Sequence, residues 1–247
     1  MKKIMVFGAC SAIAQETIKC FAREDADLFL IDLSLHRLEA VRDDVIARTG
    51  SKSKFFLDTM NALDFAQHES LINKVIKQMN GLDAVLIAHG TLPDQQKAQL
   101  SAELTLREFA INCTSVISLI TIIANYFEQK GEGTIAVISS VAGDRGRQSN
   151  YIYGAAKGGV TRFLQGLRNR LSTKGIKVIT IKPGLVDTPM TAGVKKNPLF
   201  SSAEVVGKGI YKSMRSGKDV VYLPSYWRLI MWVVIHIPEG IFKKMKF

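Results

Sequence analysis

Short apolar runs alternating with longer helical patterns predict an α/β protein. Its expected core is a single doubly wound parallel sheet of about seven strands, with helices on both faces and a C-terminal amphipathic helical extension. Three observations carry this. The runs are apolar throughout, as in Ile135-Ala136-Val137-Ile138, the pattern of strands buried on both faces. A helical stretch follows each of the first six, so successive strands form right-handed crossover units. The first run ends at Gly8, where a strand should turn into a helix.

The elements follow in order. Strand 4–8 turns at Gly8 into helix 11–23. Lys2 and Lys3 before this run and Ala12-Ile13-Ala14 after it imitate an export signal, but the run is too short for one. Strand 28–32 ends on Asp32 and leads to helix 34–48; strand 54–57 is followed by Asp58 and helix 67–79. Strand 84–88 runs into His89 and Gly90, before helix 103–129. Strand 134–139 precedes Ser140 and helix 151–172; strand 177–182 precedes Pro183-Gly184 and helix 203–215. Strand 220–223 closes the domain, so residues 1–224 read as one folded domain and 225–247 as a tail.

The 247 residues suffice for one domain with a substantial core, and 47% apolar composition excludes disorder. The net charge of +11 suits either plain solubility or an anionic partner. No nucleic-acid motif is present, so no nucleic-acid partner is expected. Cys10, Cys20 and Cys113 match no disulfide framework or zinc site, so they read as buried thiols in a reducing cytoplasm, with no metal. No run of about 20 apolar residues spans a bilayer.

The chemistry concentrates between Ser140 and Lys157. Tyr153 and Lys157 stand four residues apart, one helical turn, and share a helix face. A cation beside a phenol favours the phenolate and lowers its pKa, making the tyrosine a usable acid and base. A serine hydroxyl can bond the same reacting oxygen. Such a set suits carbonyl reduction or alcohol oxidation.

Gly8-Ala9-Cys10-Ser11-Ala12-Ile13-Ala14 opens the first helix, whose N–H groups and positive end suit a diphosphate. Ala12 departs from the usual glycine, and its methyl crowds the approach. Asp32 suits a ribose 2′-hydroxyl and repels a 2′-phosphate, or else caps the next helix. NAD(H) is therefore favoured, while Arg37 leaves NADP(H) open.

Together, Gly8, Asp58, Asn112, Ser140, Tyr153, Lys157 and Pro183-Gly184 resemble the short-chain dehydrogenase/reductase family, a Rossmann-type fold, across residues 3–223. The resemblance implies Tyr153 as general acid/base. It makes Lys157 the pKa modulator and nicotinamide-ribose ligand, Ser140 the orienter of the carbonyl, and Asn112 the holder of a relay water. Ser140 is selected over Ser139 because the family's serine lies thirteen residues before the tyrosine. The implied cofactor contacts are Gly8, Cys10, Ser11, Ala12, Ile13, Asp32, Asp58, Ala88, His89, Gly90, Tyr153, Lys157, Pro183, Gly184, Val186 and Thr188. His89 stands where the family has asparagine, either as an extra acid/base group or as a packing substitute. The Ser-Ala-Ile-Ala turn, the Ala-His-Gly strand end and the basic aromatic tail are similar to the decaprenylphosphoryl-2-keto-ribose reductase-like branch, which implies a polyprenyl-phosphate-linked keto-sugar. A soluble reductase of hydroxy-acyl or small ketone substrates, and a non-catalytic nicotinamide-binding subunit, are the alternatives. The resemblance also implies a homodimer or homotetramer.

Arg145 and Arg147 border the active-site segment, as contacts for an anionic substrate group or as surface or intersubunit arginines. Residues 189–202, with Lys195 and Lys196, would form a substrate lid. The tail joins the apolar segment 226–237, with two tryptophans, to a lysine-rich end. It reads as an in-plane anchor on the cytoplasmic face of a membrane, or as a helix packed on a neighbouring subunit.

Overall fold

A computed structural model describes residues 2–245. The strands are β1 (Lys3–Phe7), β2 (Asp27–Asp32), β3 (Phe55–Thr59), β4 (Ala84–Ile87), β5 (Gly133–Ile138), β6 (Ile176–Pro183), β7 (Val186–Asp187), β8 (Ser201–Ser202) and β9 (Val220–Leu223). The helices are α1 (Ala12–Ala22), α2 (Leu35–Thr49), α3 (His68–Met79), α4 (Gln95–Ala98), α5 (Ala102–Phe109), α6 (Ser115–Lys130), α7 (Tyr151–Leu171), α8 (Ala203–Ser216), α9 (Trp227–His236) and α10 (Glu239–Phe242).

Seven of these strands make one sheet in the order β3-β2-β1-β4-β5-β6-β9, parallel throughout. β7 and β8 pair apart from it. Strand alternation feeds two cores. Met5, Phe7 and Phe29 pack with α3, α6 and α7; Ile4, Val6 and Leu30 pack with α1, α2 and α8. Burying each such side chain contributes about 1.5–3 kcal/mol. The order reverses between β1 and β4, which opens a crevice at their carboxyl ends.

The stretch expected as one helix over 103–129 is divided. A π turn, Ala110–Thr114, separates α5 from α6 and carries Asn112. Within the helical run Ala102–Lys130, an 18-residue stretch reaches a mean hydropathy of 1.6, long and apolar enough by composition to cross a membrane. Leu119, Ile120, Ile123, Ala124 and Phe127 are fully buried in the sheet core, so here that hydropathy serves internal packing.

The tail packs on its own chain, an arrangement absent from the two sequence readings. Trp227 and Met231 are buried against Val141, with Leu185 and Tyr222 alongside. The other side of α9 exposes Leu229, Trp232, Val233 and Ile235. Met1, Lys246 and Phe247, the last two counted in the expected tail, lie outside the described residues.

Candidate active site

The crevice between β1 and β4 is a cleft of about 510 Å³. Gly8, Cys10, Ser11, Ala12 and Ile13 line it from the β1–α1 turn, and Asp32, Leu33 and Arg37 from the β2 end. Ala88, His89, Gly90, Thr91 and Ile111 line the opposite side, and Thr188 closes it with Pro189 and Met190. Gly8 has φ +84°, and a methyl there would stand 2.4 Å from the His89 nitrogen. Only glycine lets the two strand ends approach this closely.

Ser11, at the N-cap of α1, makes no side-chain capping bond, and the first turn of α1 carries no acid. The helix end thus offers N–H groups and positive potential to an anion. Asp32 holds the turn itself: Oδ2 accepts from Cys10 N at 2.9 Å and Oδ1 from Leu33 N at 2.8 Å. Each carboxylate oxygen keeps a second lone pair for a ribose hydroxyl. This elongated cleft, with an uncapped helix at its centre and a carboxylate toward one end, fits a nicotinamide dinucleotide. Burial and then the Asp32 charge push the Cys10 thiol up to about 11, so it is neutral there.

Six expected cofactor contacts sit outside the lining: Tyr153 and Lys157, which stand beside the cleft, and Asp58, Pro183, Gly184 and Val186. Asp58 bonds Lys74 at 2.7 Å, and the lining beyond β3 comes instead from Met60, Asn61, Ala62 and Leu63. Pro183 ends β6, and Val186 is buried in the β7–β8 pair. Gly184 lies beneath the Trp227 indole, where a methyl would stand 1.9 Å from Nε1.

The catalytic candidates gather beside the cleft. Ser140 Oγ accepts from Ala142 N at 3.1 Å, and the hydroxyl stands near enough to the Tyr153 phenol to favour its ionised form. The neighbouring Ser139 turns inward and donates to the Lys157 carbonyl at 3.0 Å. Gly143 and Gly158 bring the two segments together, since a methyl at Gly143 would stand 2.7 Å from the Gly158 nitrogen. Lys157, 3% exposed, donates from Nζ to the Ile138 carbonyl at 3.0 Å, with the Tyr153 ring centroid 5.7 Å away. A methyl at Gly90 would stand 2.7 Å from Asn112 Oδ1 and 3.4 Å from Lys157 Nζ, so both groups reach the cleft wall.

The electrostatics differ from the sequence expectation. Burial pushes the Tyr153 phenol up to about 12, with nearby Ser140 pulling the other way, and pushes Lys157 down to about 8. Desolvation dominates the phenol, while the Lys157 ammonium is bonded to the Ile138 carbonyl. At neutral pH the phenol is protonated and the lysine mostly charged.

Asn112 is fully buried. Its Nδ2 donates to Thr91 Oγ1 at 3.0 Å and to the Glu108 carbonyl at 3.1 Å, and its Oδ1 accepts from Thr91 N at 3.0 Å. It fastens the end of β4 to the π turn. His89 is held neutral, its pKa driven down to about 3 first by burial and then by Lys157. The Ser115 hydroxyl donates to the Ile111 carbonyl at 2.7 Å, so His89 Nε2 donates to Ser115 Oγ at 2.8 Å. His89 Nδ1 has no hydrogen-bond partner among the described residues. Thr91, Ser115 and Ile111 gave no sequence signal, because they act through contacts made only in the fold.

The two arginines divide. Arg145 Nη1 donates to the Val234 and Ile237 carbonyls at 2.7 and 2.6 Å, and Nη2 to Glu239 at 2.9 Å. Its guanidinium also covers the Phe242 ring at 3.7 Å. This corrects the substrate-contact expectation for Arg145, whose fork is engaged by the tail. Arg147 has no acid partner among the described residues, and its Nε is buried without a hydrogen bond. In the expected lid, Lys196 pairs with Asp187 at 2.6 Å and Tyr226 donates to the Leu199 carbonyl at 3.0 Å.

The short chain dehydrogenase family model matches residues 2–199. An uncharacterized oxidoreductase of Mycobacterium tuberculosis is 28% identical over 243 residues, covering 98% of this chain and 96% of that one. The 3-oxoacyl-[acyl-carrier-protein] reductase FabG of Thermotoga maritima is 25% identical over 190 residues, 77% of this chain and 76% of that one. Among solved structures, a short-chain dehydrogenase from Sphingobium yanoikuyae in complex with NADPH has a TM-score of 0.81 at 23% identity, covering 100% of this chain and 97% of that one. The protein is an oxidoreductase acting on CH–OH or ketone groups with a nicotinamide dinucleotide. The parallel sheet, the switch-point cleft and the family match agree: this chain belongs to the short-chain dehydrogenase/reductase family.

Proposed function

We propose that the protein reduces a ketone to a secondary alcohol, with Tyr153 delivering the proton. The observation that carries this is the buried Tyr153 phenol, protonated at neutral pH, with Ser140 near it and Lys157 on the same helix face. A protonated phenol is poised to donate, which favours the direction of reduction. When bound, the dinucleotide supplies the hydride. Gly8 to Ile13 would hold its diphosphate, Asp32 its adenosine ribose, and Lys157 and Thr188 its nicotinamide end. Asp32 favours NAD(H), with Arg37 as the group able to admit NADP(H). Ser140 steadies the developing alkoxide. Asn112 keeps the Gly90–Thr91 wall in place, with its backbone as the proposed anchor of a relay water.

The finer substrate reading is a lipid-linked keto-sugar presented at a membrane surface. It is supported by the outward apolar face of α9 and by basic Arg228, Lys243 and Lys244 beside it. We assign residues 1–224 to the nucleotide-binding and catalytic unit and 225–247 to the tail. The proposed assembly is a homodimer or homotetramer across α5–α6 and α7, where Leu106 and Phe109 are exposed. The resemblance to a 3-oxoacyl reductase favours a second reading, a soluble reductase of hydroxy-acyl substrates.

NADH oxidation against a ketone panel that includes lipid-linked keto-sugars tests the reading. Tyr153→Phe should lower kcat about 10²–10⁴-fold while cofactor affinity persists. Turnover that survives this change would remove Tyr153 as the proton donor.

A further inference from the structure

The N-terminus of α7 carries three polar atoms without partners. Arg147 Nε, Asn150 Oδ1 and Gln95 Nε2 are each buried and unbonded among the described residues. Gln95 is 6% exposed, and its Oε1 accepts from Ile152 N at 3.2 Å, so its amide is fixed against the first turn of α7. Asn150 is the N-cap residue yet makes no side-chain capping bond. A turn, Asn150 N to the Arg147 carbonyl at 3.1 Å, ties the arginine to the same helix end.

A half-buried guanidinium without a counter-charge is costly to keep. Here burial alone depresses its pKa, with no opposing carboxylate. The first turn of a 21-residue helix adds positive potential beside it. Tyr153 is the third residue of α7, only about 5 Å along the axis from its start. Resting on the reading that Tyr153 reduces a carbonyl, we propose that Arg147, Gln95 and the α7 N-terminus form an oxyanion subsite for the substrate. It takes a phosphate group carried close to the ketone. Arg147 supplies forked donors, Gln95 a fixed amide donor, and Asn150 an acceptor for a protonated oxygen or hydroxyl next to that phosphate.

The test titrates the full-length protein, saturated with NADH so that the dinucleotide cleft is filled, with inorganic phosphate and with geranyl phosphate by calorimetry. Arg147→Gln should weaken both by about tenfold or more, and Arg147→Lys should weaken them less, keeping charge but losing the fork. Gln95→Met should weaken both as well. Tighter binding of geranyl phosphate than of inorganic phosphate, lost in Arg147→Gln, supports a lipid-linked phosphate; equal binding, likewise lost, supports a compact phosphorylated ketone. Wild-type affinity in folded Arg147→Gln overturns the proposal. If that variant does not fold, unchanged affinity in both Arg147→Lys and Gln95→Met overturns it. Phosphate binding by Tyr153→Phe separates this subsite from the reductase reading, because it reads the site without turnover.

Discussion

The Arg145 guanidinium donates to the Val234 carbonyl at 2.7 Å, joining the loop behind Ser140 to the end of α9. The Ile237 carbonyl, Glu239 and the Phe242 ring complete its surroundings. A cation at a helix C-terminus bonds orphan carbonyls and complements the helix dipole. Arg145→Ala should therefore destabilise the protein by about 2–4 kcal/mol, given ~1.5–3 kcal/mol for one charged hydrogen bond. Chemical denaturation reads the loss, and limited proteolysis should cut the variant first within the tail. An unchanged midpoint would show that the tail is held without this contact.

Lys157 makes stability depend on pH in the cofactor-free protein. Burial depresses its pKa from 10.5 to about 8, so between these values the unfolded chain binds a proton that the folded chain does not. Its contribution is present above 10.5 and is lost as pH falls through about 8. The stability difference between wild type and Lys157→Met should shift in favour of wild type across that window, by an amount on the order of 3 kcal/mol. Taking the difference cancels Tyr153 and Cys10, whose raised pKa values act in the opposite sense, while Cys113, whose pKa Lys157 pulls down, is removed by making the comparison in a Cys113→Ala background. A flat difference would mean that Lys157 is solvated.

Asp32 both braces the glycine turn and faces the cleft. Asp32→Ala should lower kcat/KM for NADH by about tenfold and shift preference toward NADPH, as expected from losing one charged bond and one repulsion. The ratio of the two specificity constants is the measurement. An unchanged ratio would move cofactor choice to Arg37.

Leu229, Trp232 and Ile241 point outward, whereas Trp227 and Met231 pack inward. Converting the outward three to glutamate tests membrane docking without uncovering the core. The triple variant should lose at least about tenfold in partition to anionic liposomes, since each apolar side chain contributes up to ~1.5–3 kcal/mol. Equal flotation of both proteins would reject docking through this face.

Local spacing made much of the site legible. Tyr153 and Lys157 share a helix face because helical geometry carries i to i+4. Gly8 marked the strand-to-helix turn because few other residues permit that approach. The parallel sheet was readable because strands buried on both faces are apolar at every position. The roles of Arg145 and Arg147 were not readable, since two residues of the same chemistry stand two positions apart in one loop. Their difference comes from Val234 and Ile237, about ninety residues away. Long separation also hid the Trp227–Gly184 contact and the partnership of Gln95 with Ile152.

From the sequence alone came the fold class, the order of strands and helices, and the serine–tyrosine–lysine constellation. Each follows from short-range geometry and hydrophobic periodicity. Tertiary structure decided that burial dominates the phenol's pKa. It also decided that one face of the tail packs on the Val141 loop, and which of two arginines is left without an acid partner among the described residues. Those outcomes depend on desolvation and on contacts between distant segments, and neither is encoded by spacing along the chain.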